Sequence, residues 1–159
     1  MAKRKDFRLD IEQAVNRLNI SVEDFKAVGI YECEDIFINI LNKFTVLGKQ
    51  GIYEKWLWNS FKGECFSIHP EYVPKILREL ISQDEWVWFM AEDWHRTKRK
   101  GNYWLYDGKI NIIVDLLEEM YCFEYYIVSK KYEWILCENR YGSLIGVGQI
   151  MSNKIKNLK

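Results

Sequence analysis

The sequence predicts an α+β fold: a single, mainly antiparallel sheet of about five strands, packed by helices and ending in a three-stranded meander. Three observations predict it. The stretch 123–148, FEYYIVSKKYEWILCENRYGSLIGVG, holds three short strand-like runs separated by turn-like tetrads. Two further aromatic runs, 85–91 and 103–106, flank a charged loop. Apolar residues at helical spacing fill the first half and the interval between the two sets of strands, so the order is helices and then β–β–α–β–β–β.

In the meander, Phe123, Tyr125 and Ile127 share one face, and Glu124, Tyr126 and Val128 share the other. Both faces are largely apolar, which predicts a central strand covered on both sides. Ser129 to Tyr132 is a loop, and its two lysines lack the Asn-Gly signature of a tight hairpin turn. Tyr132 to Cys137 resumes as a strand, with Tyr132, Trp134 and Leu136 on one face. Asn139 to Gly142 is a second turn, and Ser143 to Val147 closes the meander. Gly146 and Gly148 mark a bulge or a close backbone approach; with no helix start after it, the Gly-Val-Gly fragment is not a dinucleotide fingerprint.

The preceding chain follows in order. Asp10 with Gln13 reads as a capping box, and Ile11, Ala14, Val15 and Leu18 lie on one helical face. Ser21 with Asp24 reads as a second helix start, with Val22, Phe25 and Val28 at helical spacing and Gly29 as the stop. Ile36, Ile40 and Phe44 predict another helix. Residues 56–61 read equally as helix or strand, and Glu64 to Ile68 as a short strand. Pro70 suits the first turn of a helix whose apolar stripe is Val73, Ile76, Leu77, Leu80 and Ile81. Asp107-Gly108 ends the strand that starts at Tyr103. A helix follows over 110–120, with Ile113, Leu116, Leu117 and Met120 inward.

The 159 residues fit one domain, helical in its N-terminal half and sheet-rich in its C-terminal half. Net charge is zero, which argues against a dedicated nucleic-acid binder. Cys33, Cys65, Cys122 and Cys137 make no CxxC pair, and two histidines leave no zinc-site spacing, so no metal or other cofactor is expected. The charged first residues run straight into an amphipathic helix rather than a signal peptide, and no apolar run is long enough to span a membrane. The expectation is a cytoplasmic protein with reduced thiols.

The run EYYIVSKKYEWILCENRYGSLIGVG resembles the C-terminal end of a domain-of-unknown-function family of small proteins, found mainly in low-GC Gram-positive bacteria. The likeness is clear over Phe123–Gly148, weaker over Trp86–Met120 and faint before that. It implies a single-domain intracellular bacterial protein and brings no activity or catalytic residues. Some proteins of this kind resemble the immunity partners of secreted toxins, an analogy only.

Three constellations are candidate sites. Glu92, Asp93 and His95 place two carboxylates and an imidazole at a strand end, as a metal or acid–base pocket requires; against that, successive strand residues point to opposite faces and converge poorly. His69 near Cys65 is a candidate base and nucleophile, but no third residue is identifiable to orient them, and a cap or packing role explains His69 as well. The loop from Trp94 to Trp104 sets Arg96, Lys98, Arg99 and Lys100 between the aromatics Trp94, Tyr103 and Trp104, with His95 beside them, as a candidate binding surface; aromatics beside basic residues stack bases and hold phosphates, and an ordinary hairpin loop beside core aromatics is the plainer reading.

With seven Trp and ten Tyr, most aromatics belong to the core, and any exposed patch of them marks a partner site. The leading expectation is a non-enzymatic, immunity- or adaptor-like module that binds another protein, with weak or no nucleic-acid binding and no membrane. The alternative is a small enzyme or ligand-binding domain with a pocket near Glu92, Asp93 and His95.

Overall fold

The computed structural model describes residues 7–54, 56–93, 101–120 and 123–158. Its centre is one antiparallel sheet of seven strands, not about five. In chain order these are β1 (Phe25–Ala27), β2 (Cys65–Ile68), β3 (Trp86–Glu92), β4 (Tyr103–Lys109), β5 (Tyr125–Ser129), β6 (Ile135–Glu138) and β7 (Leu144–Val147). Their spatial order is β1-β4-β3-β5-β6-β7-β2. Five helices accompany them: α1 (Phe7–Arg17), α2 (Ile30–Phe44), α3 (Val73–Leu80), α4 (Ile110–Glu119) and α5 (Gln149–Lys156). Two 3-10 helices span Gly48–Tyr53 and Leu57–Ser60.

The strand β5 is the middle of the seven, and all five of its residues are buried. Its two faces feed two cores. Tyr125 and Ile127 pack with residues of α1, α3, α4 and α5, including Ile11, Leu77, Ile113 and Ile155. Tyr126 and Val128 pack with Ile36, Phe37, Ile40, Leu41 and Phe44 of α2, and with Leu57. The sheet is therefore sandwiched between helices on both faces, as a central strand without a polar face demands.

The two additional strands lie at the sheet edges. Residues 21–28, expected as a helix, form a turn in which Ser21 Oγ accepts the Glu23 N–H at 3.1 Å, followed by β1. Tertiary pairing overrides the local signal here: the Phe25 ring stacks on Tyr106 at 4.9 Å, and Val28 N–H donates to the Leu105 carbonyl at 3.0 Å. Asp107-Gly108 does not end β4, which continues to Lys109 because β1 and β3 both pair with that stretch. Gly108 is needed there for space, since a Cβ would lie 2.7 Å from the Phe25 ring. At the other edge β2 pairs with β7.

Local boundaries shift for similar reasons. Asp10 lies inside α1 rather than capping it. Pro70 precedes α3, whose first turn carries Pro74 instead. Residues 57–60 are a 3-10 turn, and Phe61 bridges to Thr45. The helix α5 was not anticipated: Gly148, at φ +100°, turns the chain directly from β7 into it. Met151 and Ile155 of α5 then seat on Gly146, where a Cβ would meet both side chains. The close-approach reading of the two glycines is thus the correct one.

Trp134 is 6 % exposed and shares its core with Tyr125, Ile127, Leu136 and Leu116. Trp134→Ala should cost about 3–5 kcal/mol of stability in a denaturant melt, through lost burial and the cavity left behind. Lys130, in the turn between β5 and β6, pairs with Asp107 at 2.6 Å and lies 3.2 Å from the centroid of the Trp88 ring. Lys130→Ala should therefore cost about 1 kcal/mol in the same melt.

Candidate functional site

One end of the sheet gathers the chemistry. There β3 ends, β4 and β5 begin, and the β6–β7 turn (139–143) closes over them. Glu92 N–H donates to the Glu124 carbonyl at 3.1 Å, which sets the two residues side by side on neighbouring strands. Both are buried, as is Asp93.

Glu124 is the hub on the α2 face. Its Oε1 accepts the Trp58 indole N–H at 2.8 Å and the Arg140 backbone N–H at 3.3 Å. Its Oε2 accepts the Tyr126 hydroxyl at 3.4 Å, and its side chain is also hydrogen-bonded to Glu92. The Tyr126 hydroxyl oxygen accepts the Trp58 backbone N–H at 3.3 Å. Tyr103 donates its hydroxyl to the Glu54 carbonyl at 2.6 Å. Burial raises the Glu124 carboxyl above its ordinary value, although the Trp58 and Arg140 hydrogen bonds oppose the shift. Burial also raises the Tyr103 and Tyr126 hydroxyls and the Cys137 thiol, so these groups stay protonated donors near neutrality. Glu138, whose carboxylate accepts the Tyr125 hydroxyl at 2.7 Å, is likewise raised by burial.

This network ties the 3-10 segment 57–60 to the sheet, and it does so at the base of an exposed aromatic group. Tyr53 is 55 % exposed, Trp56 36 % and Tyr141 65 %. The Tyr141 ring meets Trp58 edge-on at 6.2 Å, and the Arg140 guanidinium lies 5.7 Å from the Trp56 ring centroid. Trp56 holds a left-handed backbone, φ 57° and ψ 55°. A bulky residue adopts that conformation only when its surroundings hold it there.

The residues singled out from sequence fare differently. Asp93 turns to the face opposite Glu92, where it accepts the Trp104 indole N–H at 3.0 Å; the two carboxylates do not converge. Trp104 is half-buried against the α1-side core, with Arg8 5.3 Å from its ring, and so is not an open stacking platform. Trp94, His95, Arg96, Lys98, Arg99 and Lys100 lie outside the described residues. His69 ring nitrogens lie 3.1 and 3.3 Å from Ser143 Oγ, on the neighbouring strand end, and Cys65 is exposed on β2. Among the described residues no group of three or more His, Cys, Asp and Glu is placed to hold a metal ion. Cys33, Cys65 and Cys137 are thiols, and Cys122 lies outside the described residues. No described helix is long and apolar enough to cross a membrane.

Glu124, Trp56, Arg140 and Tyr141 were not anticipated as site residues. For Glu124 a signal existed, one carboxylate inside an otherwise apolar strand run. For the others there was none, because turn residues carry no periodicity.

A family model described as "Family of unknown function (DUF6756)" matches residues 3–159. The chain belongs to that family. The match extends well beyond the meander, where the resemblance was clearest in sequence, and takes in both the helical half and the aromatic end. No curated protein and no solved structure matches the chain.

The raised carboxyl of Glu124 has a consequence for stability. A carboxyl whose folded pKa lies above its unfolded value supports the fold while protonated, and that support is lost as pH rises through the folded pKa. In thermal melts across pH, Glu124→Gln should match the parent near and below the ordinary carboxyl value of 4.5. Above it the variant should become progressively more stable than the parent. A difference that ran the opposite way would mean that Glu124 is held as a favourable carboxylate.

Proposed function

We propose that this chain is a non-enzymatic protein-binding module, immunity- or adaptor-like, that engages another protein through the end formed by Tyr53, Trp56, Arg140 and Tyr141. The observation that carries this reading is Trp56: a large aromatic, partly exposed, with the Arg140 guanidinium over its ring and its backbone at positive φ. Such a conformation opposes stability, and costs of this kind concentrate at functional positions. Tyr, Trp and Arg are also the residue types enriched in interface hot spots.

The carboxyl cluster beneath supports binding over catalysis. The hydrogen-bonding capacity of Glu124 is directed to Trp58, Arg140, Tyr126 and Glu92, which is the pattern of a scaffold. Two open grooves among the described residues lie elsewhere. One of about 330 Å³ lies between α1 and β1; the other, of about 400 Å³, lies beside the N-terminus of α5. Neither is lined by Glu92 or Glu124.

The test separates recognition from stability. Trp56→Gly relieves the left-handed strain, so it should leave thermal stability unchanged or raise it. Together with Tyr141→Ala it should abolish capture of any specific partner that the parent retains from lysate of its source cells. Retention of the same partner by the well-folded double variant would place the contact surface elsewhere and defeat this reading.

A further inference from the structure

We propose that β2 is a self-association edge, pairing antiparallel with β2 of a second copy of this chain across a twofold axis at Phe66. The two ends of the sheet differ in how they are protected. The strand β1 is only three residues long and carries an exposed Lys26, both common ways of blunting an edge. The strand β2, Cys-Phe-Ser-Ile, has no charge, proline or bulge; Cys65, Phe66 and Ser67 are exposed, Phe66 at 37 %.

Hydrogen-bond phase decides which groups are offered. Gly148 N–H donates to the Glu64 carbonyl at 2.9 Å, and the register pairs Phe66 with Gly146 and Ile68 with Leu144. In an antiparallel ladder the alternation then directs the backbone groups of Glu64, Phe66 and Ile68 toward β7, and those of Cys65 and Ser67 outward. A second β2 must pair through the same outward set. The register centred on Phe66 does this: Cys65 of each copy faces Ser67 of the other and exchanges two hydrogen bonds with it. The two Phe66 side chains then meet as a non-hydrogen-bonded pair, the class with the closest side chains.

Charge favours the same arrangement. Glu64 is paired within its own copy with Lys156, 3.4 Å away, and the Lys156 ammonium lies 5.6 Å from the Phe66 ring centroid, so each copy brings a neutral pair rather than a lone charge to the axis. Antiparallel pairing brings the exposed Lys62 of one copy alongside the stretch Pro70–Glu71 of the other. Four residues a side bury far less than the roughly 1,200 Å² of a stable interface, so the dimer forms reversibly and depends on concentration.

Sedimentation under reducing conditions tests it. The parent should rise from the mass of one 19.2 kDa chain toward twice that as concentration increases. Ser67→Pro removes an outward N–H that β7 does not use, so it should hold the protein at the mass of one chain with its melting temperature retained. Phe66→Lys places like charges on the axis and should do the same, independently of the proline. In a Cys65→Ser background, Phe66→Cys should cross-link into covalent dimers on oxidation, and Lys26→Cys on the other edge should not. A parent that stays at one chain mass up to millimolar concentration overturns the proposal. So does a dimer that persists in the folded Ser67→Pro and Phe66→Lys variants, or a failure of Phe66→Cys to cross-link.

Discussion

The structure depends on the burial of β5 from both sides. Tyr125 to Ser129 has no face that tolerates water, so the chain must supply an apolar layer above and below it. On one side that layer is built by four helices drawn from opposite ends of the sequence, α1 and α5 among them. On the other it is built by α2 and the 3-10 segments that follow it. The sheet then extends outward from β5 in both directions, through β3 and β4 to β1 and through β6 and β7 to β2. The N-terminal residues and the last helix are thus part of the same packing problem as the central meander.

The polar end of the sheet follows from that burial. Glu124 sits immediately before β5, fully buried, and a carboxyl in such surroundings must find hydrogen-bond donors or stay neutral. It does both: burial raises its pKa, while Trp58, Arg140 and Tyr126 supply donors. Those donors come from a 3-10 turn, a hairpin turn and the sheet itself, so a single carboxyl fixes two irregular segments against the sheet. The segments that carry Trp56 and Tyr141 are thereby anchored from beneath.

What could be read from sequence and what could not divides along the range of the interactions involved. The meander, β3 and helices α2, α3 and α4 were legible because their apolar periodicity records which face is buried, and periodicity is local. The burial of Trp134 was legible for the same reason. The edge strand β2 was legible as a short strand over 64–68, but the edge strand β1 was not. Phe25 belongs to β1 because Tyr106 lies 81 residues further on and offers its ring (106 − 25). Gly108 lies within a strand because that same Phe25 covers it. The helix α5 was missed because its anchors, Met151 and Ile155, find their partner in Gly146 of the preceding strand rather than in a longer stripe of their own.

The sequence by itself determined the α+β class, the antiparallel meander, the two-sided burial of β5 and membership of a family of unknown function. These rest on side-chain alternation and composition, properties that each residue carries with it. Only the tertiary structure decided that the sheet has seven strands and that Glu92 and Asp93 face apart. It alone placed Trp56, Arg140 and Tyr141 together above a buried glutamate. Those facts concern residues brought together from distant parts of the chain, and no local pattern encodes a neighbour that only folding supplies.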